Sequence, residues 1–157
     1  SLWTGFLPRH GFQRLMINFL CHDSAEKEIA ALERRFRTIR DGISSFKRLC
    51  EVQFHPTSPR QIIAPAKLHR ITQNEIWTLW KIELVIPNSG LRPNQWPRMW
   101  FVVKGDIIAF LCITSHIDNY DNENMKMSLV NIRLAHLKLI RRIQSILLVL
   151  KVDVNWL

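Results

Sequence analysis

The fold of this chain is decided by residues 98–114, which read RMWFVVKGDIIAFLCIT. Two runs of bulky and β-branched residues, 98–103 and 107–114, flank the short stretch Lys104–Gly105–Asp106. Such runs predict β-strands, and a glycine that can adopt a positive φ suits the tight turn of a hairpin between them. Because both runs are apolar at successive positions, we expect both faces of the sheet to be covered, the second one by helices.

Working outward from this hairpin, the sequence predicts two further strands. Residues 76–86 read IWTLWKIELVI and extend the hairpin into a three-stranded antiparallel meander. Residues 12–21 are bulky and partly alternating, and they predict an early strand. The segments 54–65 and 87–97 each contain three prolines, so we expect loops there.

Between the early strand and the first proline-rich loop, the pattern predicts a helical hairpin. Asp23 and Glu26 have the spacing of a capping box, which predicts a helix from this point to about Arg40. We expect Asp41–Gly42 to end that helix. The apolar positions of residues 43–52 then predict a second, antiparallel helix.

After the meander the apolar residues return to helical spacing, from Met125 to Ile146. This predicts a C-terminal helix, while the apolar extension of residues 147–157 is of uncertain structure. The sequence therefore predicts an α+β fold with an N-terminal strand, a helical hairpin, a three-stranded antiparallel meander and a C-terminal helix. We expect the helices to pack on one curved sheet, and residues 1–157 to form a single domain.

The charge of the chain is unusual for a globular protein. Twenty-two Lys and Arg against thirteen Asp and Glu give a net charge of +9 and a pI near 10.1. This surface attracts polyanions, so nucleic acid is the expected partner and RNA is preferred to DNA. A generic basic surface, an acidic protein and a membrane surface are the alternatives.

Neither a membrane association nor a cofactor is expected. The longest apolar runs are too short to span a bilayer, and residues 1–9 show no signal-peptide pattern. Three scattered cysteines suit a reducing compartment, which predicts a cytoplasmic location. The chain has no CxxC pair, no HExxH, no glycine-rich phosphate loop and no GxSxG. These absences favour a function that needs no metal and no cofactor.

A set of polar residues lies on and after the predicted strands. Lys81 and Glu83 alternate with apolar neighbours, so they share one strand face, and Arg98 begins the next strand. His116 and Tyr120 follow the last strand. A base, a cation and an acid are what metal-independent cleavage of RNA by its own 2′-hydroxyl requires. Each residue also has a structural alternative. Lys81 and Glu83 could form a solvent-facing polar row, and Arg98 could extend from a sheet edge. His116 could cap the strand end, and Tyr120 could be a packing residue.

The order of elements and four motifs resemble the RelE/ParE toxin superfamily. PAKLHRI at 65–71 is similar to the family's basic segment before the meander, and LWKIEL at 79–84 to its first meander strand. RMWFVV at 98–103 resembles the strand whose arginine contacts the scissile phosphate, and the last strand with His116 and Tyr120 resembles the catalytic tail. The chain departs from the family in Pro97, where an aromatic residue is usual, and in the long loop before it.

The resemblance implies a toxin of a toxin–antitoxin pair that cleaves messenger RNA on the ribosome without a metal. Its partners would be RNA, the ribosome and a cognate antitoxin. The expected site is one concave basic surface, with Glu83 or His116 as the base; the catalytic candidates are Lys81, Glu83, Arg98, His116 and Tyr120. The expected RNA-binding residues are Arg34, Arg35, Lys67, His69 and Arg70, although the arginines also suit a solvated helix face. The alternative function is a non-catalytic protein that binds nucleic acid or, like ParE, targets gyrase.

Overall fold

The computed structural model describes residues 16–115 and 127–138. These two ranges belong to separate compact units, one reaching to Tyr120 and the other beginning at Asp121. Residues 127–138 are helical, as the C-terminal apolar stripe predicts. The prediction of a single domain over the whole chain stays a prediction.

Residues 16–115 combine two helices with a five-stranded sheet, which confirms the α+β class. The elements in chain order are β1 (Asn18–Cys21), α1 (Asp23–Glu33), α2 (Ile39–Gln53), β2 (Leu68–Gln73), β3 (Thr78–Glu83), β4 (Arg98–Lys104) and β5 (Ile107–Thr114). A short 3-10 turn, Pro93–Gln95, lies in the loop before β4. The strand order is β1-β5-β4-β3-β2, with β1 parallel to β5 and the other pairs antiparallel.

The predicted hairpin at the centre of the sheet is confirmed. β5 runs over Ile107–Thr114, and Gly105 in the preceding turn has φ of 57°. A register shift between Trp100 and Phe101 inserts one extra residue into β5. Because a bulge of this kind turns a strand locally, the hairpin can curve over the helices.

The meander has four strands where the sequence predicted three. The additional strand, β2, pairs with β3 along the outer edge of the sheet. Of the six residues of β2 only Leu68 is buried. The strand therefore has no alternating or continuous apolar pattern from which it could be predicted. The strand predicted at 76–86 is shorter at both ends, running over Thr78–Glu83. It starts late because the Asn74 side-chain oxygen accepts the backbone N–H groups of Ile76 and Trp77, which holds a turn there.

The helix boundaries also differ from the prediction. α1 ends at Glu33, and Gly42 lies inside α2 instead of separating two helices. A Cβ atom on Gly42 would collide with the backbone oxygen of Val85, so this glycine permits a close approach of α2 to the chain after β3. The predicted capping box is also wrong in detail, because the Nδ1 atom of His22 accepts the Ser24 N–H at 3.1 Å and caps α1.

Apolar side chains from the helices cover one face of the sheet. Phe46 of α2 lies against Phe101 and Phe110, with ring centroids 5.2 Å and 6.0 Å away. Ile29 of α1 and Cys50 of α2 belong to the same core and are almost fully buried. The opposite face of the strands is buried too, since Leu79 and Leu111 are inaccessible and Trp100 is 3% exposed, as the two-sided apolar runs predicted.

Within residues 16–115 and 127–138, no helix has both the length and the apolar character needed to cross a membrane.

Candidate functional site

Three of the predicted catalytic residues meet on the sheet face opposite the helical hairpin. β3 and β4 are antiparallel, and their register places Glu83 directly across from Arg98. Lys81 lies two residues back on β3, so it shares the face of Glu83. All three residues are half-buried. The structure therefore brings Lys81, Glu83 and Arg98 into one row.

Aromatic packing orients the lysine of this row. Lys81 pairs in register with Trp100 of β4, and its Nζ atom lies 5.9 Å from the centre of the indole ring. A cation over an aromatic face is attracted by the negative ring surface. On the other side of β3, His69 of β2 is the register partner of Lys81. His69 is exposed, so it widens the basic face towards the sheet edge.

This arrangement combines two abilities that phosphate chemistry needs. Arg98 and Lys81 are cations on neighbouring strands, and two such charges on one face attract a phosphate group. Glu83 supplies a carboxylate, which can accept a proton from a hydroxyl group held at the same place. In the described part of the chain, no cluster of three or more His, Cys, Asp or Glu residues has the geometry to hold a metal ion.

The two remaining catalytic candidates, His116 and Tyr120, lie outside the described residues. β5 ends at Thr114, whose register partner on β4 is Arg98. The chain therefore leaves the sheet beside the arginine of the row. The structure describes Lys81 and Arg98 of the predicted shared surface. That His116 and Tyr120 lie on the same surface stays a prediction.

The predicted RNA-binding residues of the second strand do not share one face. Arg70 is the register partner of Trp80, whose ring lies 5.4 Å from that of Phe54 on the side of the helical hairpin. Because directly opposed residues project to the same side, Arg70 emerges on the hairpin side and His69 on the side of Lys81. Lys67 precedes the strand and places its Nζ atom 5.0 Å from the centre of the Trp96 ring.

The other two predicted RNA-binding residues lie in the turn between the helices. Arg34 and Arg35 follow the end of α1, and both are exposed. The guanidinium carbon of Arg35 lies 5.1 Å from the centre of the Phe36 ring. These arginines do not belong to the row on the sheet and form a separate basic feature.

Glu28 of α1, which the sequence analysis did not identify, contacts β5, the strand that ends beside Arg98. β1 pairs with β5 over the four positions from Ile107 to Phe110. The Oε1 atom of Glu28 in α1 accepts the N–H of Ile113 at 3.3 Å, and its Oε2 atom lies 4.0 Å from the Cys112 sulfur. No sequence pattern reveals this role, because it depends on where α1 packs.

Comparisons of the chain with protein-family models, with curated proteins and with solved structures found no match. The resemblance to RelE/ParE toxins thus rests on the order of elements and on the sequence motifs, and it stays a prediction.

Proposed function

We propose that this protein is a metal-independent endoribonuclease, the toxin of a toxin–antitoxin pair, and that the row of Lys81, Glu83 and Arg98 binds the phosphate to be cleaved. The observation that supports this most is the register of β3 and β4, which sets Glu83 opposite Arg98 with Lys81 on the same face. A carboxylate and two cations at adjoining positions match the needs of attack by a 2′-hydroxyl group.

In the proposed reaction, a base removes the proton of the 2′-hydroxyl, whose oxygen attacks the neighbouring phosphorus atom. Glu83 or His116 is this base. Arg98 and Lys81 stabilise the negative charge that develops on the phosphate oxygens. His116 or Tyr120 then gives a proton to the 5′-oxygen that leaves. The products are a 2′,3′-cyclic phosphate and a free 5′-hydroxyl, so every proton is accounted for within the chain and substrate.

RNA suits this site better than DNA because the attacking 2′-hydroxyl is absent from DNA. A single strand is the expected form, since an unpaired nucleotide can bend until the 2′-oxygen lies in line with the bond to be broken. The net charge of +9 favours the approach of such a polyanion. In this proposal the protein works in the cytoplasm on messenger RNA at the ribosome, and a cognate antitoxin covers its basic surface.

Primer extension on cellular RNA after a short pulse of expression tests this function. Wild type should arrest growth and produce discrete new 5′ ends, and their positions relative to reading frames report whether the ribosome is required. Arg98→Ala should lower the yield of these ends by about a hundredfold or more, the usual loss when one oxyanion-stabilising group is removed. Lys104→Gln is the matched control, because Lys104 is an exposed cation at the other end of the same strand.

Absence of both growth arrest and new 5′ ends with wild type would contradict the proposal. The alternative, a non-catalytic or gyrase-directed protein, predicts a different pattern. It predicts growth arrest with intact RNA, and a DNA-damage response in the gyrase case. It also predicts that Arg98→Ala, His116→Ala and Tyr120→Ala each leave the arrest unchanged.

A further inference from the structure

The turn between α1 and α2 concentrates positive charge in an unusual way. Four arginines fall within residues 34–40. Arg40 is neutralised, because it forms ion pairs with Glu26 at 2.9 Å and with Glu33 at 2.7 Å. These two hydrogen-bonded carboxylates, Glu33 first, raise the pKa of Arg40. In the described part of the chain, no carboxylate forms an ion pair with the other three arginines, which we call the arginine turn: Arg34, Arg35 and Arg37.

The arginine turn is presented to solvent on a fixed support. All three side chains are exposed, and Arg35 lies over the ring of Phe36, which is itself 9% exposed and part of the core. A cation just beyond the C-terminus of a helix is favoured by the negative end of the helix dipole, which gives Arg34 an ordinary structural explanation. That interaction fades beyond the last helical turn, so it does not account for Arg37, which lies four residues after Glu33.

One hydrogen bond and the short chain separation beyond it place the arginine turn at the end of the sheet that carries the proposed site. The hydroxyl of Thr38, next to Arg37, donates a hydrogen bond to the backbone oxygen of Pro87. Pro87 is only four residues after Glu83, so their Cα atoms are separated by at most about 14 Å. The arginine turn and the Glu83–Arg98 pair therefore lie at the same end of β3.

We propose that the arginine turn binds phosphates of the same RNA strand whose scissile phosphate lies at Arg98. This inference rests on the proposed function, and it adds a second contact region that positions a longer substrate. Guanidinium groups suit the task because their planar fork binds phosphate oxygens in pairs. An acidic polypeptide is the competing ligand, since carboxylates fit the same fork.

The test measures binding of fluorescein-labelled 2′-O-methyl oligouridylate by anisotropy at several salt concentrations. This probe lacks the attacking hydroxyl, so binding is separated from cleavage. Three variants are compared with wild type: the triple variant Arg34→Gln/Arg35→Gln/Arg37→Gln, a scattered control Lys27→Gln/Arg60→Gln/Lys104→Gln with the same change in net charge, and Arg40→Gln.

The triple variant should bind at least about tenfold more weakly than wild type, and its salt slope should fall by about 2, near 0.7 for each lost phosphate contact. The scattered control and Arg40→Gln should lose much less. For a labelled dinucleotide, too short to reach the arginine turn, the triple variant and the scattered control should bind alike.

Equal losses for the triple variant and the scattered control would overturn the inference while leaving the proposed function intact. The inference would also be overturned, with the proposed function intact, if polyglutamate displaced the oligouridylate from wild type as readily as polyuridylate does. The arginine turn would then fit an acidic protein. Failure of wild type to bind the oligouridylate or to cleave RNA would instead contradict the proposed function itself.

Discussion

The two faces of the central sheet are built by the same strands and differ in what they bury. On the helix-covered face, Phe101 of β4 and Phe110 of β5 pack against Phe46 of α2 in a cluster of buried apolar side chains that also includes Cys50. On the opposite face the same β3 and β4 present Lys81 and Arg98 beside buried apolar residues. Alternation along a strand thus places apolar side chains of β3 and β4 against the helices and puts charged side chains among apolar ones on the other face.

The largest expected effect in this comparison concerns the helix-covered face. Phe101→Ala should lower the free energy of unfolding by about 3–5 kcal/mol, because Phe101 is inaccessible and packs against the rings of Phe46, Phe54 and Phe110. Val102→Ala, one residue later and on the opposite face, should cost about 1–2 kcal/mol. Urea denaturation of both variants checks the difference. Equal losses would mean that the two faces contribute alike to stability.

The close approach of α2 to the chain after β3 can be tested next. Gly42→Ala should destabilise the protein by about 1–3 kcal/mol, since the new Cβ atom would collide with the backbone oxygen of Val85. The higher helix propensity of alanine offsets about 1 kcal/mol of the collision at most. Ser44→Ala, at an exposed position of the same helix, should stay within about 0.5 kcal/mol of wild type. Thermal unfolding measures the stability of both variants. Equal stability of Gly42→Ala and Ser44→Ala would contradict this packing.

A smaller effect on stability is expected on the opposite face, together with a loss of function. Glu83→Gln should change the free energy of unfolding by less than about 1 kcal/mol, because the residue is half-buried and keeps its shape. If Glu83 is the base, the cleavage rate should fall by about a hundredfold or more. Unfolding curves and primer extension on the same variant separate the two readouts. Unchanged cleavage would assign the base to His116.

The smallest effect concerns the thiols near the helix-covered face. Desolvation by surrounding atoms, followed by the nearby carboxylate of Glu26, raises the pKa of Cys21 to about 11, although the residue as a whole is exposed. Since the thiolate is the reactive form, iodoacetamide should modify Cys21 slowly at pH 8 and about tenfold faster for each pH unit up to that pKa. Burial also raises the pKa of Cys50, so it should react only in unfolded protein. Mass spectrometry of the alkylated peptides checks both, and rapid labelling of Cys50 in folded protein would show that the core is open.

Several parts of the fold followed from local patterns. The strands at 98–104 and 107–114 were predictable because long runs of bulky residues exclude other structures, and the turn between them because Gly105 permits a positive φ. The shared face of Lys81 and Glu83 was predictable from strand alternation. β2 was missed because an outer strand with one buried residue has no periodic signal.

The sequence by itself determined the α+β class, the central hairpin, the positive charge and the types of residue available for chemistry, since each depends on neighbours along the chain. Only the tertiary structure decided that β1 lies parallel to β5, that Gly42 is a contact point and that Glu83 faces Arg98. It also decided that, among the described residues, Arg40 pairs with Glu26 and Glu33 while no carboxylate pairs with the arginine turn. These features join residues far apart in sequence, and register, packing and ion pairing between such residues are fixed by the burial of the whole core and not by local propensity.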